Sequence, residues 1–282
     1  SVVDLKKAVQ VAYHETLSSA KAIKIYHEMN LDGQIGIILN LTPSYPRNEN
    51  DPEDVKAARL ADAFFNRSFL DPAIKGTFPE DLVSLLKELD YLPEYTQSEL
   101  ELIKHNTIDI LGINYYQPRR IMKKESTERL SDNPMPDDYF DNYIWPERKM
   151  NPYRGWEIYE KGIYDCLINV RDNYGNLPCF ISENGMGVEG EERFVNADGM
   201  IEDDYRIEFV QDHLKYVHQA LQEGCNVKGY HMWTCMDNWS WTNAYKNRYG
   251  FIAVDLTQEG KRTIKKSGYW FKEVSDNNGF DA

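Results

Sequence analysis

Glu183 directly follows a short apolar run, residues 178–182, and is itself followed by Asn184 and Gly185. A carboxylate at the carboxyl end of a buried strand stands where α/β enzymes present catalytic groups to a cleft. A Glu in this place can equally cap a helix or belong to a loop. Residues 181–185 alone therefore leave the catalytic and the structural interpretation evenly balanced.

Two other apolar runs end in polar and aromatic side chains of complementary types. One ends in Asn114 and Tyr116, and the other carries Trp233 and leads to Trp241. Glycoside hydrolysis needs a carboxylate at the anomeric carbon, amides and phenols that hold sugar hydroxyls, and indoles that stack on pyranose rings. Each aromatic alone is more often a core residue, but their common position at strand ends favours a sugar-binding cleft.

Apolar runs and helical periodicities alternate along the chain, as they do in βαβ units with a parallel sheet. The predicted strands are residues 34–40, 108–116, 178–183 and 227–237, with a hairpin arm at 248–255. The predicted helices are 4–29 with Asp4 as its cap, 51–69, 82–89, 98–105, 156–173, 203–223 and 264–275. The run 34–40 is expected to be buried on both faces, and 119–150 shows no clear period. Since no linker divides the chain, we expect one domain over residues 1–282.

Three of these segments resemble signatures of glycoside hydrolase family 1, the β-glucosidase family. Residues 181–185 are similar to its I-T-E-N-G motif, 111–116 to L-G-x-N-Y-Y, and 232–241 to W-S-x-x-D-N-x-E-W. The resemblance extends over essentially the whole chain. It implies an α/β fold, the (β/α)8 TIM barrel, and hydrolysis of β-glycosides with retention through a covalent glycosyl-enzyme.

The resemblance also implies roles for five residues, by matching position. Glu183 is the implied nucleophile, and Tyr116 and Asn114 orient it and the sugar. Trp233 and Trp241 form the implied platform under the glycone ring. This chemistry uses no cofactor.

One position departs from the enzymes of this family that act on plain sugars. They carry a Glu before the second Trp of that segment, where this chain has Ser240. A Glu would repel a phosphate, whereas a Ser can donate a hydrogen bond to one. The replacement resembles the 6-phospho-β-glycosidase branch, whose phosphate site joins this Ser to a Lys and a Tyr. Tyr249 matches that Tyr, while the Lys position falls on Asn247 in an ungapped match, with Lys246 one residue earlier.

The overall charge limits the partners of this chain. Its 282 residues include 46 acidic and 32 basic side chains, a formal charge of −14. This balance argues against a nucleic-acid partner, whose phosphates need a basic face, and an anionic substrate would need a local positive cluster. Residues 240–266 hold six basic side chains against two acidic ones, and Lys246 is the one we expect to reach a phosphate.

Other features of the composition indicate a cytoplasmic protein without a metal. The four cysteines have neither C-x-x-C nor metal-ligand spacing, which favours reduced, mostly buried thiols. No apolar run is long enough to span a membrane and the amino terminus has no signal-peptide pattern, so no membrane partner is expected. No histidine pair has metal-ligand spacing and no Gly-rich phosphate loop follows a strand, so we predict neither a metal nor a cofactor.

The acid/base motif of the family, T-x-N-E-P at the end of the fourth barrel strand, does not occur in this sequence. A retaining glycosidase needs that second carboxyl about 5–5.5 Å from the nucleophile. The sequence therefore resembles the carboxyl-terminal part of the family, about strands five to eight. We expect a fragment that is inactive alone. Because four strands leave sheet edges open, it should form a homo-oligomer or associate with the missing amino-terminal half.

The most specific interpretation is a 6-phospho-β-glucosidase acting on small phosphorylated β-glucosides. The alternatives within the enzyme class are a 6-phospho-β-galactosidase, which Trp241 after Ser240 would suit, and an unphosphorylated β-glucosidase. An alternative of another class is a non-catalytic half-barrel that binds sugar or assembles with a partner chain.

Overall fold

The structure is a computed structural model that describes residues 4–126 and 134–281. Its α-helices are α1 Leu5–Glu28, α2 Pro52–Asp62, α3 Ser68–Lys75, α4 Glu80–Glu88, α5 Gln97–His105, α6 Lys161–Asn173, α7 Asp204–Gln222 and α8 Lys266–Asn277. Its strands are β1 Gly36–Asn40, β2 Ser44–Pro46, β3 Ile110–Asn114, β4 Arg119–Lys123, β5 Phe140–Asn142, β6 Lys149–Met150, β7 Glu157–Ile158, β8 Cys179–Glu183, β9 Val188–Glu189, β10 Val227–Tyr230, β11 Asn247–Arg248, β12 Ile252–Asp255 and β13 Lys261–Ile264.

The chain divides into two compact units. Unit 1 is Ser1–Ile113, Pro118–Arg148 and Asn169–Cys179, and unit 2 is Asn114–Gln117, Lys149–Ile168 and Phe180–Ala282. The four predicted core strands are confirmed as one sheet with the order β1-β3-β8-β10. The expectation of a single domain stays a prediction.

Helix α1 of unit 1 begins where the sequence predicts. The side chain of Asp4 accepts a hydrogen bond from the backbone N–H of Lys7, which satisfies one of the free donors of the first turn. On its buried face, Tyr13 and Leu17 pack in one apolar cluster with Ile103 of α5. The helical period of the sequence therefore identified the face that lies in the core.

The prediction that residues 34–40 are buried on both faces is wrong. These residues do contain a strand, β1, but Gly36, Ile38 and Asn40 are exposed, and Ile38 keeps 56% of its surface. β1 is the first strand in its sheet, so one of its edges is unpaired among the described residues. An apolar run predicts a strand, whereas burial depends on what covers each face.

The helix predicted for residues 51–69 is longer and changes its geometry. α2 follows Asp51, whose carboxylate accepts the N–H of Glu53. A π-helical turn, Ala63–Arg67, then connects α2 to α3. In this turn the amide of Asn66 makes two hydrogen bonds to the backbone of Thr42, of 3.1 and 3.0 Å, which attach the helix to the segment after β1.

Residues 119–150, which have no clear period, nevertheless contain regular structure. β4 pairs in parallel with β2 and antiparallel with β5. The buried carboxylate of Asp54 on α2 accepts the backbone N–H of Lys123 at 2.8 Å and binds Arg47. Strands this short span too few residues to show an alternation. The part of this prediction that falls on residues 127–133 lies outside the described residues.

In unit 2, two predicted elements differ in extent. The helix predicted from residue 156 starts at Lys161, because residues 157–158 pair antiparallel with 149–150 as β7 and β6. The strand predicted over 227–237 ends at Tyr230, and the segment after it forms a loop. One buried apolar cluster of this unit consists of Ile158, Met186, Val188, Phe209, Val210 and Met232.

The hairpin arm and the closing helix occur near their predicted positions. β12 pairs antiparallel with β13, and α8 follows. Three of the four cysteines are buried and Cys235 is exposed, which confirms the expectation of mostly buried thiols. Across residues 4–126 and 134–281, we find no helix with the length and apolarity needed to cross a bilayer.

A buried histidine in unit 2 predicts loss of stability in acid. The ring of His213 is fully buried against Phe209, and its Nδ1 donates to the Phe209 carbonyl at 2.7 Å. Its Nε2 has no partner among the described residues. Burial lowers the pKa of His213 from 6.5 to about 4, opposed by the charges of Glu160 and Asp212. Between these two pKa values the unfolded chain binds more protons than the folded chain. The contribution of neutral His213 to the free energy of unfolding is therefore fully present above pH 6.5 and is lost as the pH falls towards 4.

We expect the wild-type protein to lose roughly 3 kcal/mol more than His213→Asn between pH 6.5 and pH 4, at about 1.4 kcal/mol per pKa unit. Asn is chosen because its amide can still donate to the Phe209 carbonyl. The measurement is the free energy of unfolding in urea across this pH range. His218→Asn, an exposed histidine of the same helix, serves as the control and should keep the wild-type pH dependence. Equal pH dependence of wild type and His213→Asn would contradict the prediction.

Candidate active site

The site forms at the carboxyl ends of β3 and β8, with all its residues in unit 2. Glu183 is the last residue of β8, and its carbonyl accepts the backbone N–H of Tyr115 at 2.9 Å. This backbone bond places Tyr116 beside Glu183, and the phenol of Tyr116 donates to Oε2 of the carboxylate at 2.5 Å. Burial and the adjacent carboxylate raise the pKa of Tyr116 well above its usual range. The phenol therefore stays protonated and fixes the orientation of Glu183.

Asn184 holds the strand ends together behind Glu183. Its side chain is fully buried, its amide nitrogen donates to the carbonyl of Tyr115 at 2.8 Å, and its oxygen accepts the phenol of Tyr230 at 2.7 Å. Its own carbonyl accepts the backbone N–H of Trp233 at 2.9 Å. At the next position, a Cβ on Gly185 would lie 2.1 Å from the Trp233 carbonyl. The Asn-Gly pair thus permits the close approach of three strand ends.

The predicted residues Asn114 and Trp233 both lie at these strand ends. The side-chain oxygen of Asn114 accepts the hydroxyl of Ser182 at 2.7 Å, which leaves the amide N–H groups of Asn114 as donors. Trp233 is half-buried, three residues beyond the end of β10. The structure therefore brings Asn114, Tyr116, Glu183 and Trp233 to neighbouring strand ends.

Trp156 is a site aromatic that the sequence patterns did not reveal. The ring centroid of Trp156 lies 5.5 Å from that of Tyr116. The guanidinium of Arg154 lies 4.3 Å from the ring centroid of Trp156. The sequence predicts that a helix begins at residue 156, and a Trp at the start of a helix is more often a core residue than part of a site. Only the pairing of β6 with β7 moves Trp156 into a loop.

The loop 237–250 carries the residues predicted to bind sugar and phosphate. A carboxylate oxygen of Asp237, at its start, accepts the backbone N–H of Gly250, at its end, at 2.9 Å. Within the loop, the backbones of Ser240 and Ala244 exchange two hydrogen bonds of 2.9 and 3.0 Å. Ser240 is half-buried, whereas Trp241 is 97% exposed. The role of Trp241 as a sugar platform stays a prediction.

The three residues around the expected Lys position have different surroundings. Lys246 is exposed and pairs with Glu189 at 3.3 Å. Asn247 is buried, and its amide donates to the carbonyl of Tyr153 at 3.3 Å. Tyr249 is also buried, and its phenol ring lies so close to Gly187 that a Cβ there would be 2.4 Å from it. Their roles in phosphate binding stay predictions.

A buried ion network connects this loop to the core of unit 2. Its members are Glu191, Asp203, Arg206, Asp237 and Lys265, each at most 4% exposed. Lys265 binds the carboxylates of Glu191 and Asp237, and its distance to Asp237 is 3.1 Å. Arg206 binds the carboxylates of Glu191 and Asp203, and its distance to Asp203 is 2.9 Å. Burial and the nearby Arg206 lower the pKa of Lys265. Lys265 belongs to the basic segment 240–266, but its burial removes it from the charge that can face a substrate.

Of the residues that the structure describes, no group of three or more His, Cys, Asp or Glu side chains is arranged to hold a metal ion. The chemistry available at the site is that of an oriented carboxylate, protonated phenols, amides and indoles. Such a set suits the attack of a carboxylate on a sugar anomeric carbon.

Residues 1–280 match the family model for glycosyl hydrolase family 1. The chain belongs to glycosyl hydrolase family 1, and its α/β fold is of the TIM-barrel class, as the sequence predicted. It is 64% identical over 278 residues to the 6-phospho-beta-glucosidase GmuD of Bacillus subtilis, covering 99% of this chain and 60% of that protein. This likeness confirms the resemblance to the 6-phospho-β-glucosidase branch.

Two further relatives are more distant. A 6-phospho-beta-galactosidase of Clostridium acetobutylicum is 34% identical over 288 residues, covering 96% of this chain and 59% of that protein. The structure of a family 1 β-glucosidase from Thermotoga maritima is similar, with a TM-score of 0.86 and 31% identity over 99% of this chain and 58% of that one. The chain thus spans about three fifths of the length of these relatives.

Proposed function

We propose that this chain supplies the nucleophile and the phosphate-binding segment of a retaining 6-phospho-β-glucosidase. The observation that carries the proposal is the hydrogen bond from Tyr116 to Glu183 at adjoining strand ends. A carboxylate held in this way attacks the anomeric carbon as the bond from that carbon to the aglycone oxygen breaks, and its oxygen becomes bonded to the sugar. Water then releases the sugar with its configuration retained.

The second carboxyl of this mechanism comes from outside the present sequence in our proposal. The T-x-N-E-P motif is absent from it, and the core sheet of the described residues has four strands. We therefore assign the chain to about strands five to eight of the barrel. It would act with the missing amino-terminal half, which would supply the acid/base. Alone, it would transfer only sugars whose leaving group needs no protonation.

The substrate class rests on Ser240 and on the likeness to GmuD, a 6-phospho-beta-glucosidase. Ser240 offers a hydroxyl where a Glu would repel a phosphate. The relative from Clostridium acetobutylicum, a 6-phospho-beta-galactosidase, keeps a galactoside in consideration as the second candidate. The proposed partner is a small phosphorylated sugar. We propose neither a nucleic acid nor a membrane as a partner. The cytoplasm is the proposed compartment, where such sugars form during uptake.

The test uses a reagent that does not depend on the acid/base. In 2,4-dinitrophenyl 2-deoxy-2-fluoro-β-D-glucoside 6-phosphate, the dinitrophenolate departs with the bonding electrons without being protonated, and the fluorine slows release of the sugar. We expect the chain to gain one phosphoglycosyl group by mass spectrometry, located on Glu183 by peptide mapping. The unphosphorylated reagent should react more slowly, and the galacto reagent tests the second candidate. A chain that binds sugar but takes up no label would be a non-catalytic module.

The role of Ser240 gives a separate prediction. Ser240→Glu should slow labelling by the phosphorylated reagent on the order of 100-fold and leave the plain reagent little affected, because a like charge beside the phosphate costs several kcal/mol. Thr242→Glu is the matched control, since it adds the same charge at an exposed position of the same loop. If Ser240→Glu and Thr242→Glu both lose the preference for the phosphorylated reagent over the plain one, or if neither loses it, a phosphate contact at Ser240 would be refuted.

A further inference from the structure

The site needs a positive charge if it is to bind a phosphate dianion, and the expected positions do not supply one freely. Asn247, at the Lys position of the family, is neutral and buried, and its side chain is bonded to Tyr153 and Asn243. Lys246 extends to the surface and pairs with Glu189. A cation for the phosphate must therefore come from another residue near this loop.

Three other basic residues of unit 2 are committed to carboxylates. Arg206 and Lys265 lie in the buried ion network. Arg248 lies 3.8 Å from a carboxylate oxygen of Asp237 and donates to the carbonyl of Val254 at 3.3 Å. Each of these charges is neutralised within the protein, which lowers its capacity to attract an anion.

Arg154 differs from these residues in its surroundings. It is half-buried, its guanidinium covers Trp156, and its Nε–H is buried and has no partner among the described residues. A buried guanidinium donor without a partner is costly, and a bound anion would satisfy it. Trp156 in turn contacts Tyr116, which binds Glu183. The unpaired charge thus lies two aromatic rings away from the carboxylate.

The backbone around Arg154 is fixed next to the predicted phosphate segment. The side-chain oxygen of Asn151 accepts the backbone N–H groups of Tyr153 and Arg154, at 3.0 and 3.4 Å. The carbonyl of Tyr153 accepts the amide of Asn247 at 3.3 Å. The amide of Asn247 therefore attaches the loop that carries Arg154.

We propose that Arg154 is the cation that binds the phosphate group of the substrate, in place of a Lys at position 247. This inference rests on the proposed function, since it names a specificity residue of the same site. A guanidinium presents paired N–H donors that match two phosphate oxygens, and stacking on Trp156 holds its plane in place. The anion recognised is a sugar phosphate monoester.

The experiment measures dissociation constants of glucose 6-phosphate and glucose by titration calorimetry on the 282-residue chain. Arg154→Gln should weaken glucose 6-phosphate binding roughly 10- to 100-fold, as expected for loss of charge-assisted hydrogen bonds, and should leave glucose binding unchanged. Arg193→Gln is the matched control, because Arg193 also stacks on an aromatic ring, that of Tyr153, 4.6 Å away. Arg154→Lys keeps the charge and should retain part of the preference, which separates loss of charge from loss of packing.

The outcomes distinguish this inference from the proposed function. A wild-type chain without preference for glucose 6-phosphate over glucose would refute both. A wild-type preference that persists in Arg154→Gln would overturn the inference alone. So would an equal loss in Arg193→Gln, or a loss in Lys246→Gln while Arg154→Gln binds normally.

Discussion

Replacing Glu183 with Gln should abolish covalent labelling by the phosphorylated fluoroglucoside, with a rate loss on the order of a million-fold. The amide has nearly the shape of the carboxylate and can still accept the hydrogen bond from Tyr116, but it is a very poor nucleophile. Because Tyr116 stays protonated, its phenol cannot replace the lost charge. The measurement is the labelling rate by intact-mass spectrometry, with peptide mapping of any residual label.

Glu192→Gln is the matched control for this variant. Glu192 is an exposed carboxylate in the same unit, outside the residues that line the site, and its replacement should leave the labelling rate unchanged. Label that persists in Glu183→Gln and maps to another carboxylate would falsify the assignment of the nucleophile. Retained binding of glucose 6-phosphate in Glu183→Gln would show that the variant is folded.

The second large effect concerns the buried ion network. Arg206→Met should lower the free energy of unfolding by about 3–5 kcal/mol, because it leaves the buried carboxylate of Asp203 without its cation and removes one of the two cations that bind Glu191. Arg206 also donates to the carbonyls of Met186 and Arg248, at 2.5 and 3.4 Å, so the substitution should loosen the loop 237–250 as well. Urea unfolding at neutral pH measures the loss.

A surface ion pair provides the comparison for Arg206. Lys272 and Asp276 on α8 form an exposed pair four residues apart, so Lys272→Met should produce no measurable change. The double variant Arg206→Met/Glu191→Gln should lose less stability than the sum of its single variants, because the second change removes a buried charge that lost one of its two cations in the first. A loss in Arg206→Met as small as that in Lys272→Met would contradict the buried network.

Much of the secondary structure could be predicted because it depends on neighbours along the chain. Asp4 caps α1 through a residue only three positions away, and the apolar period of that helix defines its buried face. The misplaced boundaries have a common cause. The start of α6, the end of β10 and the strands within 119–150 are decided by pairing with distant segments, and β1 is exposed because nothing among the described residues covers one of its faces.

The amino-acid pattern was enough to identify the family, the position of Glu183 at a strand end and the presence of Ser240 in place of Glu, since these are properties of residue types in local order. The three-dimensional fold was needed to show that Tyr116 binds Glu183, 67 residues away, and that Lys265 is buried against Glu191, 74 residues away. It also decided that Asn247 attaches a loop while Arg154 is left with an unpaired donor. Hydrogen bonding and desolvation depend on which groups lie close together in space. The order of residues along the chain does not give the distance between residues so far apart.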